Sequence, residues 1–221
     1  METSAEYPTE QPARLVETHI STLVFVGDLV FKRRKPVRTG FLDFSGVEAR
    51  RADCEREVVL NRRLAPDAYL GVAELALPGH FSEPMVVMRR MPDDRRLAAL
   101  LERHEAGRRV DEVARVVADF HARALRGPRI DEAATRDAVA SLWRDGFDQL
   151  AELPGEPVPR GELERCSRLA QEYLAGRQEL FVQRLADGRA VDGHGDLLAE
   201  DVFCTDDGPQ LLDCLEFGER Y

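Results

Sequence analysis

The sequence predicts an α+β protein in which a small antiparallel sheet with one helix comes first and a mostly helical part carrying a late hairpin follows. Three observations predict it. Residues 15–92 hold short apolar runs broken by turn residues, together with one helical stretch. From Leu97 onward the apolar spacing changes to 3.6 residues. Near the end, the apolar runs 202–204 and 210–214 flank Thr205-Asp206-Asp207-Gly208-Pro209, the pattern of a β-hairpin. The reading divides the chain into a lead-in at 1–14, a small lobe at 15–92 and a larger helical lobe at 93–221.

Taken in order, residues 1–14 hold Pro8, Pro12, Glu and Thr with little that packs, so they read as a disordered lead-in. Leu23-Val24-Phe25-Val26, the turn Gly27-Asp28 and Leu29-Val30-Phe31-Lys32 give a hairpin signal. Alternation puts Val30 and Lys32 on one face and Phe31 and Arg33 on the other. Lys32 stands beside Arg33, Arg34 and Lys35, a cluster that also suits a solubilised edge strand. Residues 33–45 read as an irregular connection whose Phe41 and Phe44 need a pocket. Residues 45–64 read as a helix with Glu57, Leu60 and Leu64 on one stripe and Glu55 pointing nearly the opposite way. A carboxylate on an apolar stripe needs a partner, and Arg62 or Arg63 could supply one by snorkelling. Residues 69–77 and 84–90, joined by 78–83, read as two more strands, which makes a sheet of about five strands with one helix.

In the helical part, Val113, Val116, Val117, Phe120 and Ala124 share one face of a helix that starts near Asp111 and stops before Gly127-Pro128. Val139, Leu142, Trp143 and Phe147 do the same on 131–150, and Leu163, Cys166, Ala170, Tyr173 and Leu174 on 161–184.

With 221 residues, 43% of them hydrophobic and 33% charged, the chain has enough apolar material for a sizeable core. A net charge of -10 argues against a nucleic-acid partner and suits either a cationic small substrate or a solubilising surface. The apolar run at 23–26 is too short to span a bilayer, and Met1-Glu2-Thr3-Ser4-Ala5-Glu6 lacks the basic start and apolar stretch of a signal peptide. The expected location is therefore cytoplasmic, with no membrane partner. The four cysteines, Cys54, Cys166, Cys204 and Cys214, show no CxxC spacing and read as buried free thiols, although Cys204 and Cys214 on facing strands could approach one another.

Acidic side chains mark both ends of the late hairpin. Asp196 and Asp201 precede its first strand, and Asp213 and Glu216 close its second. Carboxyls gathered in one volume repel unless a cation or a reacting hydroxyl sits among them. The run Asp192-Gly193-His194-Gly195-Asp196, with Asp201 five positions on and Leu212-Asp213-Cys214-Leu215-Glu216-Phe217 beyond, resembles the catalytic core of the aminoglycoside phosphotransferase and choline kinase group. That group has the two-lobed protein-kinase-like fold. The resemblance covers about Leu15 to Phe217, and Glu17-Thr18-His19-Ile20-Ser21 and Lys35-Pro36-Val37-Arg38 look most like a bacterial branch of phosphotransferases related to amino-sugar kinases.

The resemblance implies transfer of the γ-phosphoryl group of ATP, or of GTP, to a hydroxyl of a small polar metabolite, an amino sugar or aminoglycoside-like compound, with Mg²⁺ as cofactor. Asp196 would face the acceptor hydroxyl, and Asp201 and Asp213 would hold the metal. Lys32 would grip the phosphates and Glu57 would hold Lys32, while Ser21 and Thr22, in the turn before the second strand, would cover the phosphates. Backbone groups at 87–89 would meet the purine, and His121 would be a packing element. Three departures stand out. Asp replaces the usual Asn at 201, no GxGxxG occurs, and the chain stops eight residues after Asp213, which leaves the large lobe short. The alternative expectation is a kinase-like module that binds nucleotide or a partner without turnover, with a second copy or a partner covering the short lobe. A metal-dependent phosphoesterase built on His194, Asp196 and Asp213 is the weaker rival.

Overall fold

In a computed structural model of the protein, residues 13–38, 42–76, 82–155 and 157–216 are described. The fold is α+β. Strands β1 (Arg14–Glu17), β2 (Ser21–Val26), β3 (Leu29–Arg34), β4 (Tyr69–Leu75) and β5 (Glu83–Arg89) form an antiparallel sheet in the order β1-β2-β3-β5-β4. The β2–β3 hairpin closes on Gly27-Asp28, with Gly27 at φ 56°, a conformation that costs a residue without a Cβ little. Helix α1 (Val47–Asn61) lies against β4 and β5.

The first core joins Val30, Cys54, Val58, Tyr69, Val86 and Met88 to Phe203 and Leu212 from the end of the chain. The second joins Leu64, Leu97, Leu100, Ala106 and Phe120 to Val202, Cys204 and Leu211. The late hairpin, β6 (Val202–Thr205) paired with β7 (Gly208–Leu211), thus divides its side chains by strand alternation: Phe203 enters one core, Val202 and Cys204 the other. Burial on both faces anchors the acidic residues at its two ends.

The helices after the sheet are α2 (Leu97–Glu102), α3 (Arg109–Arg123), α4 (Pro128–Ala133), α5 (Arg136–Glu152), α6 (Arg160–Ala175) and α7 (Gln178–Ala186). Two expected helices are therefore each broken in two. The expected helix over 131–150 is interrupted because Thr135 starts a new one, its hydroxyl accepting from the Ala138 amide at 3.2 Å. The one over 161–184 stops at Gly176, where α6 ends. Of its expected apolar stripe, Leu163, Ala170 and Leu174 are buried, whereas Cys166 is exposed.

The second strand of the late hairpin ends at Leu211 rather than Cys214, and Cys204 faces Pro209 across the ladder. Cys204 and Cys214 are free buried thiols, not a pair. Phe44 and Leu42 are buried as the connection required, while Phe41, most of the expected 78–83 link and residues 1–12 lie outside the described residues.

Contacts gather the described residues into two compact units, those up to Phe120 together with those from His194 onward, and those from His121 to Gly193. Among the described residues, no helix is long and apolar enough to cross a membrane.

Candidate functional site

Strand alternation on β3 buries Val30, Lys32 and Arg34 on one face. Helix α1 brings Asp53, Glu57 and Asn61 to one stripe at intervals of four, so its buried face is largely polar. The segment after β7 brings Asp213 and Glu216. The Lys32 ammonium donates to Glu57 Oε1 at 2.8 Å and to Asp213 Oδ1 at 2.7 Å. Arg34 donates through Nε to Asp53 Oδ2 at 2.6 Å, through Nη1 to Ser21 Oγ at 2.9 Å, and through Nη2 to Glu57 Oε2 at 2.8 Å and to Glu216. Glu57, fully buried, is thus held between two cations.

Burying such charges is tolerable only because each finds a partner. For Lys32, burial works against the ammonium, but the Glu57 and Asp213 carboxylates outweigh it and hold the pKa well above the ordinary lysine value. The same ammonium holds the Asp213 carboxyl below the usual carboxylate range, against the effect of burial. Asp53 is pushed up by burial, with Arg34 opposing. Burial, with Glu57 adding to it, pushes Glu216 up to about 7 although Arg34 pulls the other way, since three carboxyls share one guanidinium.

The backbone around Asp213 is pinned from several sides. Asp213 sits at φ 63°, a left-handed conformation that a non-glycine residue keeps only when its surroundings demand it. Its amide donates to Tyr69 Oη at 3.1 Å, the Cys214 amide to Asn61 Oδ1 at 2.8 Å, and the Leu215 amide to the His194 carbonyl at 2.9 Å. His194, itself buried, uses Nε2 to donate to the Leu212 carbonyl at 3.0 Å, and burial lowers its pKa. Its Nε2 is therefore spent on backbone, whereas its buried Nδ1 has no hydrogen-bond partner among the described residues. Gly195, at φ 87°, explains the Gly in His-Gly-Asp: a Cβ there would meet the Leu215 Cβ at 2.8 Å.

These groups open onto a cleft of about 510 Å³ whose lining belongs wholly to the first unit. Leu23, Phe25, Val30, Met88, Met91, Phe203 and Leu212 supply an apolar part, and Lys32, Asp93, Arg96, Asp196, Asp201 and Asp213 a charged one. Asp196 is exposed, and Asp213 keeps 55% of its side chain open to solvent. Asp201 is half-buried, and burial followed by the Asp213 charge pushes its carboxyl up to about 6.

Lys32, Glu57, Asp196, Asp201 and Asp213 are therefore brought together around one volume. Lys32, not Arg62 or Arg63, partners Glu57: Arg62 donates to the Tyr69 and Leu70 carbonyls, and Arg63 stacks on Phe120. Two expectations need correction. Ser21 and Thr22 lie on β2 rather than in the turn, where Ser21 pairs with Arg34 and Thr22 with Arg33. Alternation sends Thr22 to the face opposite Lys32, and the Ser21 hydroxyl is engaged by Arg34, so the turn at the cleft edge is Thr18-His19-Ile20. Of the expected 87–89, Met88 and Arg89 line the cleft, with Met91 just past β5, whereas Val87 does not. Reasoning from sequence also missed Arg34, Asp53, Asn61 and Tyr69. The period-2 step from Lys32 to Arg34 and the four-residue spacing of Asp53, Glu57 and Asn61 carried the signal for three of them.

No family model matches the chain. Curated relatives at 44% identity over 209 residues are uncharacterized proteins of Mycobacterium bovis and of two strains of Mycobacterium tuberculosis. The alignment covers 92% of this chain and 41% of each relative, so the chain spans about two fifths of the length of the curated relatives it matches. Among solved structures, a crystal structure of WbdD aligns over 92% of this chain and 32% of that one, at a TM-score of 0.32 and 15% identity.

Proposed function

We propose that the cleft binds Mg²⁺-ATP and transfers its γ-phosphoryl group to a hydroxyl of a small polar metabolite, in the manner of protein-kinase-like phosphotransferases. One observation carries the reading: a buried lysine held by a helix carboxylate reaches Asp213, inside a cleft that Asp196 and Asp201 also line. Lys32 is placed to grip phosphate oxygens and Glu57 to keep its ammonium aimed. Asp196, exposed in the cleft, would orient the acceptor hydroxyl and take its proton. The apolar part of the cleft suits a purine.

Asp201 and Asp213 would hold the metal. The donor set fits, since both offer carboxylate oxygen, and the Asp213 charge, which adds to burial in raising the Asp201 carboxyl, is one that a divalent ion would offset. When bound, Mg²⁺ supplies charge neutralisation on the phosphates.

The test is calorimetry with Mg²⁺-ATP beside a coupled ADP-release assay over amino sugars, aminoglycosides and choline-like alcohols. Acceptor-dependent ADP release supports the transferase. Nucleotide binding without it makes the chain a binding module, and no binding at all ends the reading. Lys32→Ala should weaken Mg²⁺-ATP by roughly 10- to 100-fold, the loss of one charge-assisted contact.

A pH dependence follows from Asp201. As pH falls through about 6 its carboxyl gains a proton, so Mg²⁺-dependent nucleotide affinity should fall, and Asp201→Asn should remove that acid limb. Folding responds in the opposite sense. The folded state holds this proton more tightly than the unfolded chain, so the Asp201 contribution to stability is lost as pH rises toward about 6.

A further inference from the structure

We propose that Arg34 is a positioning residue of the cleft, which fixes Glu57 against Lys32 and ties the segment carrying Asp213 to helix α1. The inference rests on the nucleotide reading of the site and adds to it a residue with no role in gripping nucleotide itself. Arg34 is 1% exposed, two residues beyond Lys32 on the same face of β3. Its guanidinium meets Ser21 on β2, Asp53 and Glu57 on α1, and Glu216 three residues after Asp213. No other side chain described here bonds to all three of those pieces.

The geometry of Glu57 shows why this matters. Its two oxygens are divided, Oε1 to Lys32 and Oε2 to Arg34. A carboxylate held at one oxygen can rotate, and one held at both cannot. Arg34 therefore sets the orientation from which Glu57 aims the ammonium. Glu216 is the second arm. Its side chain is clamped by Arg34 and its carbonyl accepts from Arg56 at 3.1 Å, so the chain just past Asp213 is fastened to the β3–α1 layer. Only a planar fork of five donors can serve these directions at once; an ammonium at the same place keeps the charge but loses the fork.

The neighbouring charges leave Arg34 little room for another task. Asp53, Glu57 and Glu216 form a buried group close enough to suggest a metal site, but the guanidinium stands among them and donates a hydrogen bond to each. The cation this cluster needs is already part of the chain.

A double-mutant cycle between Arg34→Lys and Lys32→Met tests the assignment, read as affinity for Mg²⁺-ATP and for adenosine, with thermal melting to select folded variants. If Arg34 acts through Lys32, Arg34→Lys lowers Mg²⁺-ATP affinity about tenfold, leaves adenosine affinity nearly unchanged, and adds little in the Lys32→Met background. Equal loss for both ligands, or additive losses in the cycle, would mean that Arg34 only supports the fold and overturns the inference. If Arg34→Lys fails to fold, the same cycle is run with Glu216→Gln, which removes one arm of the clamp and leaves the guanidinium in place. The same outcomes decide it. A wild-type chain that binds no Mg²⁺-ATP overturns the nucleotide reading itself, a result distinct from losses that are equal or additive.

Discussion

Asp196→Asn should abolish acceptor-dependent ADP release while leaving Mg²⁺-ATP binding in place. The carboxylate is exposed in the cleft and bonds to no described side chain, so its replacement by an amide of the same shape disturbs little packing. What the amide lacks is a basic oxygen to take the proton of the attacking hydroxyl. General-base assistance is worth roughly 10²- to 10⁴-fold, and the loss should appear in kcat with nucleotide affinity within about threefold of wild type. Equal loss of binding and turnover would show that Asp196 holds nucleotide and would sink its assignment as the base. Unimpaired turnover would remove it from the chemistry.

Glu57→Ala has the largest expected effect on stability. Removing this fully buried carboxylate strips a partner from both Lys32 and Arg34, at positions where water cannot easily replace it. Breaking a buried pair from one side costs about 3–5 kcal/mol because the remaining charge is stranded. Here two cations lose their shared partner, although each retains another in Asp213 or in Asp53 and Glu216. Denaturant unfolding should show a midpoint lowered by a corresponding amount. A change below about 1 kcal/mol would mean that the remaining carboxylates already satisfy both cations. Glu57→Gln, which keeps the volume and one acceptor oxygen, should fall between the two.

Much of the first unit was legible because its signals are local. The β2–β3 hairpin follows from apolar runs around Gly27-Asp28, and α1 is where a helix was expected, although it ends at Asn61, short of Leu64, and buries Asp53, Glu57 and Asn61 where the expected stripe had Leu60 and Leu64. The Lys32–Glu57 pair answers a physical demand legible in the sequence, that a carboxylate on a buried stripe must find a cation, and the resemblance implies which one. The errors arose where neighbouring signals compete. Thr135 caps a new helix inside a stretch whose apolar period continues across the break, so periodicity alone joins α4 to α5. Ser21 and Thr22 looked alike as hydroxyl residues near a turn, and only the β2 register sends them to opposite faces.

By itself the sequence determined the α+β class, the two hairpins, and which residue types stood at their ends, because turn chemistry and apolar period act over a few residues. Tertiary structure alone decided that Arg34 would sit among Asp53, Glu57 and Glu216, and that Tyr69 and Asn61 would hold the backbone at Asp213 and Cys214. Those partners lie up to 182 positions apart. Their pairing follows from the desolvation of charges that packing forces into the same small volume, and no local pattern in the chain encodes which cation meets which acid.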